Sequence, residues 1–148
     1  MVHALEEIHR LLKPTGELID IHPVSESSPI EIHQSGKIDR VGELSVRQWC
    51  TDFRQADNAL SEVVQRGLFA VEHESIFDSL TYYTSAAEMR TSLKESIDKF
   101  ARDAQLAGEA VLHAEALAAR AEERMRTAFS GAELILRERT HISRLKPT

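Results

Sequence analysis

Ala4-Leu5-Glu6-Glu7-Ile8-His9-Arg10-Leu11-Leu12-Lys13-Pro14-Thr15-Gly16-Glu17-Leu18-Ile19-Asp20-Ile21-His22-Pro23 changes from a helical to an extended period within one short run. Leu5, Ile8, Leu11 and Leu12 fall at helical spacing, which predicts an amphipathic helix over residues 2–12. Pro14 cannot continue the helical ladder and disfavours helix at Lys13, and Gly16 tolerates turn angles. Glu17 to His22 then reads as a strand. Its apolar Leu18, Ile19 and Ile21 flank Asp20, the pattern of a strand covered on at least part of both faces.

Downstream, the serine-rich stretch from Pro23 to Pro29 predicts a loop. Ile30 to Gln34 and Lys37 to Leu44 predict a hairpin closed by Ser35-Gly36. Ser45, with Gln48 three residues on, predicts a capping box. The helix it opens carries Val46, Trp49, Cys50, Phe53, Ala56, Leu60, Val63 and Val64 on one face and ends at Gly67. Leu68 to Tyr83 is aromatic and branched, a long strand or bent pair. Ser85 and Glu88 form a second capping box before a helix with Met89, Leu93, Ile97 and Phe100 on one side. Asp103 to Phe129 predicts the longest helix, with a Glu122–Arg126 ion pair and an interruption at Gly108. Beyond Gly131, Leu134, Leu136, Thr140 and Ile142 alternate with Ile135, Arg137, Arg139 and His141, a final strand with one wetter face.

The 148 residues suit a single domain spanning the whole chain, with 42% hydrophobic and 28% charged residues. A net charge of −6 argues against a general nucleic-acid or acidic-membrane surface. Cys50 is the single cysteine, which excludes an internal disulfide and points to a buried thiol. No stretch is apolar enough to span a bilayer and no leader is visible, so a cytoplasmic location is expected.

The run from Ala4 to Pro23 resembles the helix, Lys-Pro-Gly-Gly-type turn and fifth strand of class I, Rossmann-like S-adenosylmethionine-dependent methyltransferases, with Thr15 replacing the first usual glycine. Threonine tolerates positive φ poorly, so this turn should differ or be strained. The resemblance implies that Leu68 to Tyr83 matches the sixth strand and Glu133 to Arg144 the seventh. It thus implies an α/β fold with a mixed, largely antiparallel sheet in the order fifth, seventh, sixth, plus the hairpin. It covers only the C-terminal half of that domain. The glycine-rich loop and the acidic ribose-binding residue belong to the other half, so no catalytic or cofactor-binding residue carries over and no cofactor is expected. The resemblance therefore implies a methyltransferase-like module without its own cofactor site, forming a homodimer through the edge of strand Leu18–His22 or binding a protein that supplies the missing half. Helix Ala4 to Leu12 would then pack near the two-fold axis. The alternative is a fragment or subunit of a methyltransferase that binds S-adenosylmethionine only when completed.

Asp20 and His22 share one strand face, and Glu31 and His33 repeat that relation. Folded together, these four could ligate zinc or iron. The plainer reading is a polar rim beside a serine-rich loop. His73 with Glu72 or Glu74 could support acid-base chemistry or simply form a solvated strand face. Tyr82, Tyr83, Phe77 and Trp49 could line an apolar pocket or fill a core. Arg137, Arg139 and His141 form a basic stripe that suits an anion, an acidic partner or water.

Overall fold

The computed structural model describes residues 1–24, 26–45, 50–128 and 130–148. Its elements are α1 (Val2–Leu11), β1 (Leu18–Pro23), β2 (Ser27–Gln34), β3 (Lys37–Ser45), α2 (Asp52–Gln65), β4 (Phe69–Tyr83), α3 (Ala86–Phe100), α4 (Ala104–Thr127) and β5 (Glu133–Pro147). The fold is α/β, with an open antiparallel sheet of five strands in the order β1-β5-β2-β3 and β4 also paired with β5. β5 thus pairs with both β1 and β4, the neighbours expected of it, and also with β2 of the hairpin. Among the described residues, no helix is long and apolar enough to cross a membrane.

The chain groups into two compact units: Met1–Val24 with Asp52–Phe77 and Arg139–Thr148, and Ser25–Thr51 with Asp78–Glu138. In the first, Val2, Leu5, Ile8 and Leu12 pack on a core of Leu60, Val63, Phe69 and Leu145. Leu11, expected on that face, is 70% exposed. At 3.6 residues per turn it lies roughly 120° from Leu5, whereas His9 lies roughly 40° away. His9 accordingly meets Phe69 edge to face at 5.3 Å. The turn after α1 is closed by Gly16 N–H donating to Lys13 C=O at 2.7 Å. Thr15 is not at positive φ, so the strain expected of this turn is absent. At the end of α2, Gly67 at φ 70° lets its own N–H reach Val64 C=O and the Leu68 N–H reach Val63 C=O. These two bonds make a Schellman cap.

β1 departs from its expected coverage. Its burial alternates, and Ile19 and Ile21 are 50% and 58% exposed. One face is therefore open, and the other carries Asp20 and His22.

In the second unit, Ser35 and Gly36 both have positive φ, the requirement of a tight type I′ hairpin joining β2 to β3. The expected loop to Pro29 is shorter, because β2 already begins at Ser27. Pro29 is tolerated there because pairing with β5 starts only at Ile30, beside a register shift between Ile30 and Glu31. β3 runs through Ser45, which pairs with Ser27, so the helix expected from Ser45 begins instead at Asp52. Val46, Gln48 and Trp49 lie outside the described residues. Cys50 is buried as expected, but before the helix.

Ser85 caps α3 by accepting from the Glu88 N–H, and Glu88 reaches back to Thr84 rather than to Ser85. Asp103 caps α4 through the Leu106 N–H at 2.9 Å, and α4 runs through Gly108 without a break. Arg126 pairs with Glu123, one residue from the expected Glu122, which turns toward Arg90. The buried face of α4 is Ala110, Ala114, Leu117, Ala118 and Ala121. Such small side chains permit close approach, and α4 packs on α3 and β3.

Candidate functional site

On β1 and β5 of the first unit, the antiparallel register sets Asp20 opposite Ser143 and His22 opposite His141. Residues two apart on a strand share a face, so these four form a compact polar patch. The two imidazoles meet at 5.4 Å between centroids with their planes at 67°. From α2, Asp57 adds a second carboxylate.

His22 is the centre of this patch. Its side chain is only 8% exposed, its Nδ1 donates to Asp20 Oδ2 at 2.5 Å, and its Nε2 donates to Asp57 Oδ1 at 2.7 Å. Burial pulls the imidazole pKa down, but the hydrogen bonds to Asp57 and Asp20 outweigh it and hold the pKa above its ordinary value. The two carboxylates thus hold a proton on the ring more firmly than water would.

Beside the patch lies a cavity of about 180 Å³. Its polar lining is Asp57, Ser61, Glu74, His141 and Ser143, and the remainder is leucine and valine. Ser143 is 3% exposed. Its Oγ, like the Nδ1 of His141, is buried without a hydrogen-bond partner among the described residues. Buried polar groups normally find partners, so these two atoms need an explanation.

Glu31 and His33 belong to the second unit and form a different cluster. One carboxylate oxygen of Glu31 accepts from His33 Nε2 at 2.8 Å and from Arg137 Nε and Nη2 at 3.2 and 2.9 Å. Arg137 also donates to Asp78 at 2.7 Å. Burial raises the Glu31 pKa, but the bonds from Arg137 and His33 prevail and hold it below the usual range. These groups already satisfy one another, which is a structural arrangement.

The four ligand candidates therefore separate into two pairs, each with its own partners. Sequence reasoning missed Asp57 and Ser143 as companions of Asp20 and His22. It placed His141 in a basic stripe instead. That stripe is divided, since Arg137 is neutralised by Glu31 and Asp78 while His141 meets His22 edge to face. His73 is exposed, and Glu72 is held by Arg144 and Lys146 at 3.3 and 2.6 Å, so no acid-base pair forms between them. Phe77 and Tyr82 are 45% and 56% exposed, and Tyr83 is buried with its hydroxyl 3.4 Å from Ser92, so these aromatics do not line one pocket.

The second unit has a larger cavity of about 420 Å³ beside the hairpin and the end of α4. Its Arg124 is already bound to Asp39 at 2.7 Å, which leaves its charged pair occupied. The His22 patch is the stronger candidate because it combines a charged centre with orphaned polar atoms. Comparison with protein-family models, curated proteins and solved structures finds no match.

Proposed function

We propose that this chain is a methyltransferase-like module without its own cofactor site, which works by forming a homodimer or binding a protein partner through β1. The observation that carries the reading is the state of that strand. Among the described residues β1 pairs only with β5, and its outer face offers Ile19 and Ile21 to solvent. A free edge with exposed apolar residues invites another strand, and proteins ordinarily cover or blunt such edges. Two copies joined there about a two-fold axis would continue the sheet and bring their isoleucines onto one surface. The negative charge supports a protein partner rather than nucleic acid, and the single buried Cys50 fits a cytoplasmic location.

Light scattering after gel filtration tests this directly. The expected mass is twice the 16.7 kDa of one chain, returning to one chain in Ile21→Lys. A wild-type mass of one chain, with no partner retained, refutes the reading.

A second reading is favoured by one observation, the pairing of β5 with both β1 and β4. It makes the chain part of a methyltransferase completed by residues outside this sequence. Calorimetric titration with S-adenosylmethionine separates the two. Binding by this chain tighter than roughly 100 μM, about −5.5 kcal/mol, would replace the first reading.

A further inference from the structure

Asp20, His22 and His141 each bring one ligating atom to within 4.8 Å of the other two. We propose that the first unit binds a divalent transition-metal ion of the zinc type on these three side chains, with a further coordination position open to the adjoining cavity.

Two imidazoles and a carboxylate are a familiar zinc donor set, and three protein ligands leave room for an exchangeable water. A triangle of this size closes onto bonds of about 2 Å with side-chain movements under about 1 Å. All three donors sit on the paired strands β1 and β5, whose register fixes their spacing. The surroundings supply what an ion needs. Asp57 accepts from His22 Nε2, which would orient the ring and leave Nδ1, the atom beside Asp20, for the metal. The ion would take the place of the proton now between His22 Nδ1 and Asp20, and that proton would leave to solvent.

The independent sign of a ligand is the pair of orphaned atoms. Among the described residues His141 Nδ1 is buried without a partner, and so is Ser143 Oγ, on a residue 3% exposed that lines the cavity. A metal-bound water in the cavity would give Ser143 its missing hydrogen bond. A serine nucleophile explains the patch less well, because Ser143 Oγ bonds neither histidine.

The experiment uses the full chain, stripped with chelator and titrated with ZnCl2 by calorimetry and with Co2+ by visible absorption. The proposal expects one ion per chain and the intense d–d bands of four- or five-coordinate Co2+. His141→Ala and Asp20→Asn should each weaken Zn2+ binding at least tenfold, while His33→Ala and His73→Ala leave it unchanged. Asp57→Asn should weaken it by a factor of about 10–100, as loss of an outer-shell partner does. Circular dichroism accompanies each variant. Should one fail to fold, the wild-type stoichiometry and Co2+ spectrum still decide. Absence of saturable one-to-one binding, a weak octahedral Co2+ spectrum, or equal Zn2+ affinity in a folded His141→Ala overturns the proposal.

Discussion

Gly42 of β3 lies directly beneath Leu117 of α4: a Cβ built on Gly42 would come within 2.6 Å of Leu117 Cδ2. Leu117 is fully buried, so it has little room to retreat. Gly42→Ala should therefore destabilise the protein by about 1–3 kcal/mol through overpacking. Denaturant titration reads the loss. In the Leu117→Ala background the same substitution should cost clearly less, since the obstructing methyl is gone. Equal costs in both backgrounds would show that the contact is not the cause.

Gly67 differs in kind, because nothing lies within 4 Å of its missing Cβ while its φ is +70°. Gly67→Ala should cost roughly 1–2 kcal/mol from the left-handed backbone alone. Gly67→Asn should cost less, since asparagine enters that region more readily. Chemical denaturation of the two variants ranks them, and an unchanged midpoint for Gly67→Ala would refute the cap.

Glu31 links stability to pH. Its folded-state pKa is depressed by Arg137 and His33, so its stabilising contribution is complete above the unfolded-state pKa. That contribution disappears as pH falls through the folded value. Glu31→Gln should be less stable near neutrality by about 1–3 kcal/mol, because Arg137 loses charge-assisted bonds in a largely buried place. Its stability should also fall less steeply than the wild type's as the solution is acidified. Parallel pH profiles for the two proteins would contradict the assignment.

Ile19 and Ile21 make an unusual pair for mutation, being apolar but half exposed. Replacing both with threonine should change the stability of an isolated chain by no more than about 0.5 kcal/mol. The same change should weaken self-association at least tenfold by analytical ultracentrifugation. A large loss of stability with association intact would place these residues in the core of one chain.

The Ser85 cap and the Ser35-Gly36 hairpin were legible because each depends on side chains or backbone angles a few residues apart. The length of α4 was legible through its helix-favouring, alanine-rich composition, but its buried face was not read from the sequence. The start of α2 was not, because Ser45 can serve a cap or a strand and the Ser27 pairing decided between them. Nor was the coverage of β1, since apolar Ile19 and Ile21 read as buried when the exposed face cannot be seen. Within the candidate site, Asp20 and His22 could be associated through the strand period alone. Asp57 could not, because 35 residues and a helix separate it from His22 and no local pattern marks it. His141 has a local period but needs the β1–β5 register before it means anything.

The first unit is assembled from Met1–Val24, Asp52–Phe77 and Arg139–Thr148. During synthesis, β1 must therefore wait for its ladder partner, since His22 is made 119 residues before His141, the difference between their positions. Until then its isoleucines and both its hydrogen-bonding edges are available to any neighbouring chain. Such distant pairing folds slowly and leaves aggregation-prone surface open in the interim. A nascent chain of this kind would gain from a holding chaperone, or from slow translation after α1, well before any mature partner is needed.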